Sequence, residues 1–108
     1  MNEKEKSQEF NPTLVEIELA SIENNMILRI KMRPNVLPKS IKKYMYGFDD
    51  RFREYMRKTY TSKIIFDRLY TESPYEFYAI CIVLDKDIAE KIYHDFIKLT
   101  GNTMRKTS

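Results

Sequence analysis

Residues 14–20 and 26–33 each alternate apolar and polar side chains, which is the period of a half-buried β-strand. In the first segment, Val15, Ile17 and Leu19 are expected to face the core. The short connection contains two consecutive asparagines, a residue type that tolerates the positive φ of tight hairpins. The two segments therefore predict an antiparallel β-hairpin.

The charged positions of the two segments predict one register for this hairpin. With Leu19 opposite Leu28, acidic side chains of the first strand face basic side chains of the second. The resulting pairs are Glu18 with Arg29 and Glu16 with Lys31. Cross-strand pairs of opposite charge contribute about 0.2–1 kcal/mol each. The apolar alternation and the charge pairing therefore agree on the same register.

A stripe of apolar residues follows Pro38, with members spaced three and four residues apart over about five helical turns. Its members are Ile41, Tyr44, Met45, Phe48, Phe52, Tyr55 and Met56. Gly47 interrupts the pattern at a cost of about 1 kcal/mol relative to alanine. Because the stripe continues in phase beyond Gly47, the pattern favours one long helix over two shorter ones.

The second half of the chain again has two strands followed by one helix. Strands are predicted over residues 62–70 and 75–84, and the second is almost continuously apolar, which is typical of a central strand covered on both faces. Asp85 suits the N-cap of a helix, and Gly101 suits the position just after its end. The apolar stripe between them consists of Ile88, Ala89, Ile92, Phe96 and Leu99.

These elements predict an α+β fold in the order ββαββα, with a four-stranded antiparallel sheet in spatial order 1-2-4-3 and both helices on one face. The order resembles a circularly permuted ferredoxin-like fold, in which the last strand of βαββαβ has moved to the front. The resemblance is one of topology and implies no function. We expect a flexible leader at residues 1–12, a single α+β domain at residues 13–101 and a polar tail at residues 102–108.

The distribution of apolar residues and cysteine predicts a cytoplasmic protein without membrane contact. No apolar run approaches the length of about 18 residues that a membrane span needs. No apolar segment follows the polar N-terminal residues, as a secretory signal would require. The single cysteine, Cys81, cannot form a disulfide within the chain, and its apolar surroundings predict that it is buried.

Positive charge is concentrated in the middle of the chain. Residues 29–63 hold eleven basic and three acidic side chains, although the formal net charge of the whole chain is only +3. Aromatic residues are interleaved with the basic ones, a combination that supports phosphate contacts and base stacking. The predicted site for nucleic acid or an acidic partner consists of Arg29, Lys31, Arg33, Lys39, Lys42, Lys43, Arg53 and Arg57. The alternative is a solvated helix face whose aromatic neighbours simply belong to the core.

A sheet with both helices on one side leaves its other side uncovered. Parity along the predicted strands places on that side Ile27, Ile65, Leu69, Tyr78, Ile80 and Ile82. Contiguous apolar patches of several hundred Å² usually mark interfaces. We therefore expect an interface, in a homodimer or with another protein, formed by Ile27, Ile65, Tyr78, Ile80 and Ile82. A nucleic-acid platform on this face is a further alternative.

Residues suited to catalysis or metal binding are scarce, so no enzymatic activity is expected. His94 is the single histidine, and its place between Ile92 and Phe96 turns it away from the buried stripe. One histidine and one cysteine do not make a zinc site within one chain. The two isolated glycines do not make a phosphate-binding loop. We expect no metal and no cofactor.

The combined features predict a non-catalytic binding or regulatory domain, dimeric, that uses a basic helix and sheet surface to bind nucleic acid or an acidic protein. The alternative is a small inhibitor or adaptor of the kind that phages and plasmids encode. Such a protein would dock on its partner through the open sheet face. Salt separates the two interpretations, because phosphate contacts weaken steeply with salt and apolar contacts do not.

Overall fold

The computed structural model describes residues 12–35, 38–60 and 63–101. Within these ranges the chain is an α+β protein with the predicted element order ββαββα. The elements are β1 (Thr13–Ile22), β2 (Asn25–Arg33), α1 (Ile41–Tyr60), β3 (Ile64–Thr71), β4 (Phe77–Val83) and α2 (Lys86–Leu99). The strands pair antiparallel in the order β1-β2-β4-β3, which confirms the predicted topology.

The predicted ends of the chain fall largely outside this description. Of the predicted leader, residues 1–12, only Pro12 is described, and it is buried. The predicted polar tail, residues 102–108, lies outside the described residues. Neither helix in the described ranges has the length and hydropathy to cross a membrane.

The hairpin of β1 and β2 has the predicted register, with Leu19 opposite Leu28 and Glu18 opposite Arg29. The positive φ of its turn lies at Glu23, at 58°, rather than at an asparagine. A left-handed conformation costs a non-glycine residue about 1–2 kcal/mol. The pairing of the two strands therefore holds the turn in a conformation that the turn residue itself disfavours.

A bulge in β1 changes which side chains enter the core. Leu14 pairs with Met32 and Glu16 pairs with Lys31, so Val15 is an extra residue in the ladder. Leu14 is fully buried, whereas Val15 is only half-buried. The prediction that Val15 faces the core was wrong, because one extra residue reverses the alternation of every residue before it.

A second bulge lies in β3, between Phe66 and Arg68. Beyond it Leu69 pairs with Ala79 and packs against the core, while Tyr70 lies on the opposite face of the sheet. The prediction that Leu69 lies on the open face was therefore wrong. Both bulges are on edge strands, where such extra residues are over-represented.

The inner face of the sheet, which both helices cover, is apolar from edge to edge. The central strand β4 contributes four side chains that are almost completely buried: Phe77, Ala79, Cys81 and Val83. Their partners on β2 are equally apolar, since Leu28 pairs with Cys81 and Ile30 with Ala79. The burial of Cys81 confirms the prediction, and no polar or charged side chain of the described residues is buried.

Helix α1 is one continuous helix of 20 residues through Gly47, as predicted. Ser40 caps its start, because the Ser40 hydroxyl accepts a hydrogen bond from the backbone N–H of Lys43 at 3.3 Å. Its buried residues are Tyr44, Met45, Phe48, Phe52, Met56 and Tyr60. The rings of Phe48 and Phe77 meet edge to face at 5.2 Å, which joins α1 to β4.

Helix α2 begins at the predicted cap. The Asp85 carboxylate accepts hydrogen bonds from the backbone N–H groups of Asp87 at 2.9 Å and Ile88 at 3.3 Å. The buried residues of α2 are Ala89, Ile92 and Phe96. Gly101 follows the helix with φ of 85°, and its N–H donates to the Leu14 carbonyl at 2.7 Å. The end of α2 is thereby tied to the start of β1.

Candidate functional site

The outer face of the sheet, which faces away from the helices, has an apolar end and a charged end. At the apolar end four side chains lie in register across all four strands, and we call them the apolar row: Ala20, Ile27, Ile82 and Ile65. Ile65 is 49% exposed, and Ile22 and Leu84 beside the row are each 55% exposed. These side chains form a continuous apolar surface on the outside of the molecule.

At the charged end, Tyr78 is covered by other side chains of the same chain. The guanidinium carbon of Arg29 lies 4.2 Å from the centroid of the Tyr78 ring, and the Tyr70 ring stacks on Tyr78 at 4.9 Å. Arg29 Nε also donates a hydrogen bond to the Tyr70 hydroxyl at 3.0 Å. This hydrogen bond is the main reason that the pKa of Arg29 is raised. Tyr78 is therefore only 6% exposed and adds little surface to the predicted interface.

The three basic residues of β2 form ion pairs on this face. Arg29 pairs with Glu18 at 3.2 Å, as the predicted register requires. Lys31 and Arg33 pair with Glu76, at 3.5 and 3.6 Å. The negative charge of Glu76 is the main cause that raises the pKa of Lys31. These cations are partly neutralised within the chain and attract a polyanion less strongly than unpaired cations would.

The structure does not bring the eight predicted basic residues to one surface. The β2 residues Arg29, Lys31 and Arg33 lie on the outer face, paired with residues of β1 and β4. The other five lie on or before α1, which packs against the inner face. The sheet therefore separates the predicted site into two surfaces.

On α1, two arginines lie along the edge strand β3. The guanidinium carbons of Arg53 and Arg57 each lie 5.3 Å from the centroid of the Phe66 ring. Arg53 also pairs with Asp49 at 3.0 Å. The remaining members of the set are the exposed lysines Lys39, Lys42 and Lys43. No ion pair within the described ranges involves these three lysines.

A groove of about 400 Å³ lies between α1 and β3. Its lining combines cations, one carboxylate, aromatic rings, apolar side chains and a hydroxyl: Lys42, Met45, Tyr46, Asp49, Arg53, Leu69, Tyr70 and Thr71. Tyr46 is 74% exposed, and Lys42 and Lys43 precede it by one helical turn on the same side of α1. An open aromatic ring thus adjoins cations without ion pairs.

The individual roles of Tyr46, Tyr70 and Glu76 were not predicted from the sequence. Tyr46 is out of phase with the buried stripe of α1, which was a visible signal for exposure. Glu76 has the same parity as Tyr78, a signal that it shares the outer face. The place of Tyr70 had no such signal, because it depends on the bulge in β3.

The described residues include no group of three or more histidine, cysteine or acidic side chains placed to hold a metal ion. His94 is exposed on α2, as predicted. Burial raises the pKa of the Cys81 thiol to about 12, so it holds its proton at neutral pH.

Comparison with known proteins reveals no relative, since no family model, no curated protein and no solved structure matches this chain. Function is therefore inferred from the chemistry of the two surfaces.

Proposed function

We propose that this protein is a non-catalytic domain that binds single-stranded nucleic acid through α1 and the groove between α1 and β3. The observation that carries the proposal is the open ring of Tyr46 beside Lys42 and Lys43. An exposed aromatic ring on a basic surface is the arrangement that proteins use to stack a base while cations hold the adjacent phosphates.

The charges on α1 support phosphate contacts there rather than at β2. Lys39, Lys42 and Lys43 are exposed and have no acidic partner within the described ranges. A phosphate that approaches them displaces only water and counterions, whereas at β2 it would compete with Glu18 and Glu76. The electrostatic attraction is therefore stronger on the helix side.

The preference for a single strand follows from Tyr46. A base inside a duplex is already stacked on both faces, so a side-chain ring reaches the face of a base only where the strand is unpaired. Stacking of this kind contributes about 1–3 kcal/mol per base and tolerates any sequence. We therefore expect weak sequence preference and marked salt dependence.

The apolar row favours a second candidate function, a small inhibitor or adaptor that docks on another protein through the outer face. Binding of that kind uses apolar surface and changes little with salt. The salt dependence of binding therefore separates the two candidates.

The binding proposal is tested by fluorescence anisotropy with labelled single- and double-stranded DNA and RNA at several salt concentrations. Wild type should bind single strands more tightly than duplexes. The Lys42→Glu, Lys43→Glu double variant should bind much more weakly. Its slope of log K against log salt should fall by about 1.4, since each lost phosphate contact on a single strand accounts for about 0.7.

Two further variants separate stacking from charge. Tyr46→Ala should weaken single-strand binding by about 1–3 kcal/mol and leave the salt slope unchanged, because the ring carries no charge. Lys86→Glu, Lys98→Glu makes the same change of charge at exposed positions on α2 and should bind like wild type. No binding by wild type at low salt would refute the proposal, as would equal losses in the α1 and α2 variants.

A further inference from the structure

The apolar row exposes apolar surface to solvent on the outer face of the sheet. The row crosses all four strands, and exposed Ile22 and Leu84 extend it at the same end of the sheet. Arg68 and Glu18, in the next row, have side chains that are more than half exposed. An apolar strip bordered by charges of both signs is typical of a protein interface.

We infer that a second copy of this chain covers the outer face and forms a dimer. The two-fold axis of this dimer lies between the two sheets, parallel to the strands and midway between β2 and β4. Rotation about this axis exchanges the positions of β1 and β3 and of β2 and β4. Each row of side chains then faces the same row of the other copy. The two sheets pack face to face with aligned strands, as in β-sandwiches.

The apolar row is self-complementary under this rotation. Ile27 on β2 faces Ile82 of the partner subunit, because these two positions are paired neighbours across β2 and β4. Ala20 on β1 faces Ile65 of the partner subunit, so the smallest side chain of the row meets its most exposed isoleucine. Alternation of small and large side chains across an interface allows close packing.

The charges of the next row are complementary under the same rotation. Glu18 on β1 and Arg68 on β3 occupy one row, since Glu18 pairs with Arg29, Arg29 with Ile80, and Ile80 with Arg68. The axis places Glu18 against Arg68 of the partner subunit, twice in each dimer. Within its own chain Arg68 has a long ion pair with Asp67, at 3.8 Å, and its guanidinium carbon lies 5.4 Å from the centroid of the Tyr70 ring.

Other two-fold arrangements fit less well. An axis in the plane of the interface but across the strands would set the apolar row against the charged end of the other sheet. That arrangement buries apolar side chains against the ion pairs of Lys31 and Arg33, which lose water without gaining partners. The axis parallel to the strands instead sets the apolar row against the apolar row of the other copy.

The available area is sufficient for a reversible dimer. Four strands about 4.8 Å apart and about eight residues long make a face of about 19 by 26 Å. Two such faces bury about 1,000 Å² in total, near the lower limit for specific interfaces. The dimer should therefore dissociate on dilution. It does not depend on nucleic-acid binding, because α1 lies on the opposite side of the sheet.

Two complementary charge reversals test the predicted pairing. Glu18→Arg alone and Arg68→Glu alone each place like charges in contact twice per dimer, and each should weaken self-association about tenfold or more. In an equimolar mixture the two variants should form a heterodimer, because both contacts then join opposite charges. Sedimentation equilibrium of each variant and of the mixture measures this, with circular dichroism to verify folding.

Two controls complete the experiment. Glu90→Arg reverses an exposed charge on α2, away from the outer face, and should dimerise like wild type. Ile82→Glu places a charge in the apolar row and should abolish the dimer. A wild-type protein that stays monomeric at its highest soluble concentration would overturn the inference and leave the outer face to another protein. Single variants that dimerise like wild type, or a mixture that stays monomeric, would overturn the predicted axis.

Discussion

At the scale of single residues, burial controls the protonation of two groups in the core. The free thiol of Cys81 is completely buried on the inner face of β4, and desolvation raises its pKa from 9.0 to about 12. The hydroxyl of Tyr60 donates to Asp95 at 3.0 Å, and burial raises its pKa above the usual value. Both groups are held neutral because the interior disfavours the charged form.

The Cys81 thiol predicts a specific loss of stability at alkaline pH. The unfolded thiol releases its proton near pH 9.0, and the folded thiol holds it to about pH 12. Between these values the unfolded state binds fewer protons, so the free energy of unfolding falls as pH rises, by up to about 1.4 kcal/mol per unit.

Urea denaturation from about pH 8 to about pH 10 would measure this effect. Cys81→Ala lowers stability at every pH through its cavity, but its stability should depend less steeply on pH than that of wild type. Parallel pH profiles for the two proteins would show that the thiol does not contribute.

At the scale of elements, caps determine where the helices begin, and bulges determine which face each edge strand presents. Ser40 and Asp85 each accept hydrogen bonds from the first turn of a helix. The bulges of β1 and β3 bring Leu14 and Leu69 to the core. The bulge of β3 also brings Tyr70 against Tyr78 on the outer face, where Tyr70 accepts the hydrogen bond from Arg29.

The cap of α2 gives a prediction at this scale. Asp85→Ala removes the acceptor of two backbone N–H groups and should lower the free energy of unfolding by about 1 kcal/mol. Asp85→Asn keeps an oxygen acceptor in the same place and should retain most of the stability. Chemical denaturation of the three proteins measures the difference, and equal losses in both variants would contradict a capping role.

At the scale of the whole molecule, one core holds both helices on the inner face and leaves the outer face open. Helix α2 packs mainly on β1 and β2, while α1 packs beside β3. All buried residues of both helices belong to one cluster with the inner face of the sheet. Helix α1 and the apolar row therefore lie on opposite faces of the sheet, and the groove lies beside α1 at the β3 edge.

Because the core is shared, a cavity under α2 should weaken the entire fold. Phe96 is fully buried, and Phe96→Ala should cost about 3–5 kcal/mol. Its neighbour Ile97 is exposed, and Ile97→Ala should change stability by no more than about 0.5 kcal/mol. Far-ultraviolet circular dichroism and tyrosine emission should report the same transition. A Phe96→Ala protein that melts like wild type would contradict this assignment of the core.

Most residues of the candidate site could be named from the sequence, but their partners and relative positions could not. Helical spacing placed Lys42 and Lys43 on the solvent side of α1, and both are exposed. Strand parity placed Lys31 opposite Glu16, and the register agrees, but its ion pair forms with Glu76, just before β4. That partner is 45 residues away in the chain, so no local pattern connects the two.

The sequence by itself determined the order of the elements, the register of the first hairpin, the caps of α2 and the buried stripes. Each of these depends on residues within a few positions of one another, because side-chain direction repeats every 2 residues in a strand and every 3.6 in a helix. Only the tertiary structure decided the inward turn of Leu14 and Leu69, the cover over Tyr78 and the groove beside Tyr46. A bulge arises where an edge strand fits its neighbour, and one extra residue there exchanges the two faces without leaving a periodic trace in the sequence.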